Sequence, residues 1–90
     1  MYKEELAYAQ TPERTAAILT DEASAVHKSL LYAEVFGPTG YARTTKYELG
    51  DAVSMIFLLC EQLGYNFEEV RAMGLERFKE RMSQLKEGHQ

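Results

Sequence analysis

The sequence predicts an all-α protein: an antiparallel bundle of three main helices, preceded by a short N-terminal helix. Three observations predict this fold class. Apolar residues recur three or four positions apart over long stretches, which is the spacing of one helix face. Two turn signals, the cluster at residues 37–40 and Gly64, separate these stretches. No stretch shows the strict alternation of a half-buried strand, and short connections favour antiparallel neighbours.

The first two helices are predicted from apolar spacing and one start signal. Residues 2–9 are expected to form the short helix. Thr11-Pro12-Glu13 combines a hydroxyl cap, a proline at the first helical position and an acid in the first turn. The helical pattern then runs without a breaker from Pro12 to about Phe36, where the turn cluster Gly37-Pro38-Thr39-Gly40 ends it.

The third helix is predicted to begin at a threonine and to end at Leu63, before Gly64. Residues 41–43 are interpreted as a linker. Thr45 fits a capping box in which Glu48 reaches back to the cap, whereas Thr44 is a competing cap that leaves Glu48 free.

The last helix is predicted to begin at Asn66, which forms a second capping box with Glu69. Its apolar positions recur near helical spacing, and the helix is expected to fray into the polar tail 86–90. Residues 1–90 therefore form one domain, in which the tail and the first 10–20 residues are candidates for flexibility.

The apolar run 52–60 in the third helix carries no charged side chain, so we expect it to be buried on nearly every side. Gly50 precedes the run, and a glycine inside a helix suggests that another helix or a ligand lies close to the backbone. Three helices barely cover such a segment, and a chain of 90 residues buries only about 60–65% of the surface that its unfolded form exposes. A homodimer or homotetramer is therefore expected to complete the bundle.

Composition limits the class of protein. The chain is 46% hydrophobic and 27% charged, with a net charge of −4, which argues against a nucleic-acid partner. The single cysteine, Cys60, lies in the apolar run and predicts a buried, reduced thiol in a cytoplasmic protein. Residues 1–5 have no apolar core, so no signal peptide is expected, and the run 52–60 is too short to span a bilayer.

Three acidic residues form the main candidate site. Glu48 and Asp51 are three apart and therefore share one helix face. Glu22 lies in the second helix among apolar neighbours, and the three carboxylates can converge if these helices pack together. A hard cation that prefers oxygen ligands, such as Mg²⁺, would then neutralise them. The alternative is that Asp21 and Glu22 belong to a solvated stripe.

Three stretches follow the motif order of a known family. They are residues 23–26, the element Glu48-Leu49-Gly50-Asp51, and the run Leu63-Gly64-Tyr65-Asn66-Phe67-Glu68-Glu69-Val70. Together they resemble the MazG-type nucleoside triphosphate pyrophosphohydrolases of the all-α pyrophosphatase superfamily, over residues 15–82. Enzymes of that family bind magnesium through a Glu-x-x-Glu and a Glu-x-x-Asp motif. They cleave nucleoside triphosphates to monophosphate and pyrophosphate, and they work as dimers or tetramers.

The resemblance implies that Glu22, Glu48 and Asp51 bind magnesium and act in catalysis on a nucleoside triphosphate, with Glu22 as a possible base. Arg77 is a candidate phosphate contact at the start of the last helix. Lys28 and Lys46 are further candidates by charge alone, and plain surface charge is the alternative for all three. Candidates for a wall against the nucleobase are the tyrosines Tyr2, Tyr8 and Tyr32.

Two departures from the family pattern weaken the expected activity. Ala25 stands at the second acidic position of the first motif. The family often has Asn-x-x-Lys where this chain reads Gly74-Leu75-Glu76-Arg77. The alternative function is therefore a catalytically inactive MazG-fold module for oligomerisation or for binding a nucleotide or a protein.

Overall fold

A computed structural model describes residues 3–37 and 41–88 of the chain. The helices are α1 (Lys3–Tyr8), α2 (Pro12–Phe36), α3 (Tyr41–Leu63) and α4 (Phe67–Gly88). The described residues contain no strand, so the predicted all-α class with three main helices is confirmed.

The helix ends follow local capping chemistry. The Thr11 hydroxyl accepts a hydrogen bond from the Arg14 N–H at 3.2 Å, as expected for an N-cap. Gly64 adopts φ +78°, and at this end of α3 the Tyr65 N–H donates to the Cys60 carbonyl at 2.8 Å. This is the hydrogen bond of a Schellman motif, which terminates a helix at a left-handed glycine. At the start of α4 the Asn66 side chain accepts from the Glu69 N–H at 2.9 Å.

Two predicted boundaries are wrong. Helix α3 begins at Tyr41, so residues 41–43 are helical, and neither Thr44 nor Thr45 is its N-cap. The predicted linker holds no glycine or proline, and nothing in it prevents a helix from starting at Tyr41. Residues 38–40 of the predicted turn cluster lie outside the described residues. Glu48 therefore lies in the second turn of α3 and is free of a capping role. Helix α4 also continues to Gly88, past the predicted start of the polar tail.

Helices α2 and α3 form the antiparallel pair that holds the site. Ile18 shares the small core with Met55, which is fully buried. Farther along α2, the buried Ser29 shares a hydroxyl–hydroxyl hydrogen bond with Thr45. Because the partner in α3 comes earlier in the chain as α2 advances, the two helices run in opposite directions.

The residues before α2 pack against one end of the α2–α3 pair. The Arg14 guanidinium lies 5.5 Å from the centre of the Tyr8 ring, a cation–π distance. The Gln62 side chain donates a hydrogen bond to the Ala9 carbonyl at 3.1 Å, and Ala9 is itself buried in the core. The short N-terminal helix is thereby connected to the far end of α3.

The expectation that the run 52–60 is buried on nearly every side is wrong for the single chain. Within this run only Met55 and Cys60 are buried, whereas Val53, Ile56 and Phe57 are exposed. Helix α4, among the described elements, contacts only α3. A Cβ atom at Gly50 would also meet no heavy atom within 4 Å, so no other helix among the described residues approaches the backbone there. The reason is geometric, because two packed helices cover only one side of each other.

Within the described ranges, none of the helices combines the length and apolar character that a membrane crossing requires.

Candidate metal centre

Three carboxylates from α2 and α3 meet at the centre of the helix pair. One carboxylate oxygen of each of Glu22, Glu48 and Asp51 lies within 4.8 Å of the others. Glu48 and Asp51 are on the same face of α3, and the antiparallel register brings Glu22 opposite them. All three residues are partly buried. The solvated-stripe alternative holds for Asp21, which is exposed, and is wrong for Glu22.

The electrostatics of this cluster disfavour three negative charges without a counterion. Burial raises the pKa of Glu22 above its ordinary value, and the neighbouring charges of Asp51, Glu5 and Glu48 raise it further. Like charges at this separation repel most strongly where solvent is partly excluded. The folded protein therefore favours either a proton or a cation at this place.

Glu5 is a contributor that the sequence reasoning missed. It lies in the first turn of α1 and is partly buried, and its charge acts on Glu22. The acidic pair Glu4-Glu5 was visible in the sequence, but nothing local shows that α1 would direct it toward α2. Its position adds a fourth negative charge beside the three carboxylates.

The donor set fits a divalent cation that prefers oxygen. Mg²⁺ binds one or a few carboxylates and fills its remaining octahedral positions with water and phosphate oxygens. Glu22, Glu48 and Asp51 would hold such an ion. The described residues place no cysteine or histidine in the cluster, which makes a softer metal such as zinc a poorer match.

A cleft opens beside the carboxylates on the surface of the α2–α3 pair. Its volume is about 230 Å³, and it is lined by Ala25, Lys28, Ser29, Tyr32, Thr44 and Glu48. Lys28 is the one cation among these lining residues, so the cleft joins a positive side chain to a ligand of the candidate metal site. Ala25 forms part of the same wall.

The other predicted substrate contacts are placed less favourably. Lys46 and Arg77 are exposed on α3 and α4, and in the part of the chain described neither forms an ion pair with the three carboxylates. Tyr32 lines the cleft and stacks on Phe36 with ring centres 6.0 Å apart. Tyr8 instead faces Arg14, and Tyr2 lies outside the described residues.

Comparisons of this chain with protein-family models, with curated proteins and with solved structures find no match.

Replacing Glu22 by glutamine should stabilise the metal-free protein at pH 7. A raised native pKa means that the folded state binds the Glu22 proton more tightly than the unfolded chain does. Stability is therefore lost as the pH rises above the ordinary value of 4.5. Glu22→Gln removes this loss, so the Tm of the variant at pH 7 should be higher than that of the wild type.

Thermal unfolding in the presence of a chelator measures this effect. The higher Tm of Glu22→Gln should disappear at a pH below the ordinary pKa of glutamate. Glu22 of the wild type is then protonated in both the folded and the unfolded state. Glu80→Gln, an exposed change of the same kind on α4, should leave Tm almost unchanged. An equal or lower Tm for Glu22→Gln at pH 7 would contradict the expected repulsion.

Proposed function

We propose that this protein is a magnesium-dependent nucleoside triphosphate pyrophosphohydrolase. The observation that carries the proposal is the convergence of Glu22, Glu48 and Asp51 within 4.8 Å on two packed helices. The motif resemblance to MazG-type enzymes supports the choice of a nucleotide substrate. The lysine-bearing cleft beside Glu48 supports a ligand that carries phosphate.

Each residue of the site has a role in this proposal. Glu22, Glu48 and Asp51 hold magnesium, which when bound supplies charge neutralisation to phosphate oxygens and acidifies water. Glu22, whose pKa is raised by burial and by its acidic neighbours, accepts the proton of the attacking water. Lys28 balances the charge of the phosphate chain in the cleft.

The products distinguish this reaction from other phosphate hydrolyses. Water attacks the α-phosphorus, the bond between the α-phosphorus and the bridging oxygen breaks, and pyrophosphate leaves with that oxygen. The test incubates the purified protein with magnesium and a panel of common and modified nucleoside triphosphates. Monophosphate and pyrophosphate in equal amounts are the expected products. Release of orthophosphate alone, or no turnover of any member of the panel, would exclude the proposed activity.

A second candidate function is a non-catalytic MazG-like module that binds nucleotide or a protein partner. Ala25 favours this candidate, because it leaves the site with three carboxylates where the family pattern has four. It also lines the cleft beside Glu48, so a longer acidic side chain at this position would lie near the candidate metal.

Ala25→Glu separates the two candidates. If the protein is an enzyme weakened by the missing ligand, this change should raise magnesium affinity or turnover by roughly tenfold. Calorimetric titration of magnesium, with and without a non-hydrolysable triphosphate, measures the affinity, and pyrophosphate release measures the turnover. Ala25→Ser is the matched control and should change neither. If Ala25→Glu changes neither property, the non-catalytic module is favoured.

A further inference from the structure

The candidate metal site lies one helical turn from the small core. Glu22 follows the core residue Ile18 by four positions in α2, and Asp51 precedes the core residue Met55 by four positions in α3. Side chains four positions apart lie one above the other on a helix face. Because α2 and α3 are antiparallel, both carboxylates lie on the same side of the core.

Helix α1 repeats this arrangement. Ala9 belongs to the core, and its N–H donates to the Glu5 carbonyl at 2.9 Å, which places Glu5 one helical turn earlier. Glu5 lines a cleft of about 290 Å³ together with Ile18 and with Asp21, the residue before Glu22. Glu5 therefore lies on the same side of the core as the candidate metal site.

The Glu5 carboxylate forms no ion pair with any side chain that the structure describes. It is partly buried, and the cleft that it lines contains two further acids, Glu4 and Asp21, and no basic residue. Burial raises the pKa of Glu22, and the charges of Asp51 and Glu5 raise it further. The negative charge of Glu5 thus acts on the candidate metal site, and a cation there would turn this repulsion into attraction.

We propose that Glu5 is a positioning residue for magnesium at the candidate metal site, where its carboxylate accepts hydrogen bonds from the water molecules that the ion keeps. The inference rests on the magnesium site of the proposed function. Glu5 is not one of the three residues whose carboxylate oxygens lie within 4.8 Å of one another, so it acts through water and is not a direct ligand. Mg²⁺ retains several waters in protein sites, and groups that hydrogen-bond to what surrounds a metal contribute to its affinity. The site then takes its fourth carboxylate from α1, whereas the MazG-type pattern has its fourth acid in the first motif.

Calorimetric titration of the full chain with magnesium alone tests this role. Glu5→Gln removes the charge and preserves the size of the side chain, and it should weaken magnesium binding about tenfold or more. Glu4→Gln is the matched control, because it makes the same change at the adjacent, exposed position of α1. Its magnesium affinity should remain close to that of the wild type.

Thermal unfolding separates this role from a purely structural one. In the presence of a chelator, Glu5→Gln removes one of four neighbouring negative charges, so its Tm should equal or exceed that of the wild type. In excess magnesium the Tm of the wild type should rise more than that of the variant, because a ligand stabilises the folded state more when it binds more tightly.

The outcomes distinguish this inference from the proposed function. Equal magnesium affinity of Glu5→Gln and the wild type would overturn the inference alone, as would an equal loss in Glu4→Gln or a lower Tm of Glu5→Gln in chelator. A wild type that binds no magnesium would overturn both. Magnesium binding that depends on Glu5, in a protein that releases no pyrophosphate from any triphosphate, would support the inference and exclude the proposed activity.

Discussion

Asp51→Asn is expected to lower magnesium-dependent pyrophosphate release by on the order of 100-fold or more. The substitution preserves the size of the side chain but removes one of three carboxylates that lie within 4.8 Å of one another. Magnesium affinity should fall at the same time, because a neutral amide is a weaker ligand than a carboxylate. Pyrophosphate release and a calorimetric magnesium titration measure the two effects.

Asp21→Asn is the matched control for this prediction. It makes the same chemical change one residue before Glu22, but the Asp21 side chain is exposed and is not one of the three converging carboxylates. Its activity and magnesium affinity should remain close to those of the wild type. Equal losses in both variants would show that general surface charge, rather than the carboxylate cluster, is responsible.

Met55→Ala is expected to have the largest effect on stability. Met55 is fully buried between α2 and α3 and shares the core with Ile18 and Ala9, so truncation leaves a cavity that few neighbours can fill. Such a change costs about 2–5 kcal/mol, a large part of the 5–15 kcal/mol that stabilises an ordinary domain. Chemical denaturation at a fixed protein concentration measures the loss as a lower transition midpoint.

Met73→Ala provides the comparison. The same truncation on α4 removes a side chain that is 54% exposed, so its cost should stay below about 0.5 kcal/mol. If both variants lose the same stability, the cluster around Met55 is not the core of the fold. A small effect of Met55→Ala alone would lead to the same conclusion.

Features set by neighbours along the chain were predictable from the sequence. The Thr11 cap, the end of α2 before Gly37 and the end of α3 before Gly64 depend on hydrogen bonds and backbone angles within a few residues. The error at the start of α3 has the same origin. A capping box is a permissive pattern, and here the helix could begin earlier because no breaker follows the turn cluster.

The candidate site was only half determined by local pattern. The shared face of Glu48 and Asp51 follows from their spacing, whatever the tertiary structure. Glu22 faces them because of the register of α2 against α3, which depends on contacts between residues far apart in the chain. The approach of the Glu5 charge depends in turn on how α1 packs on α2, and no periodicity in the sequence encodes that.

The sequence by itself determined the helical class, most helix ends and the chemistry available on each helix face, because these properties arise from neighbours within one or two turns. Only the tertiary structure decided that three carboxylates converge and that apolar side chains of α4 such as Phe78 and Leu85 stay exposed in the single chain. Both outcomes depend on packing between distant segments. The free energy of that packing depends on the fit of whole surfaces, and a short sequence pattern does not determine that fit.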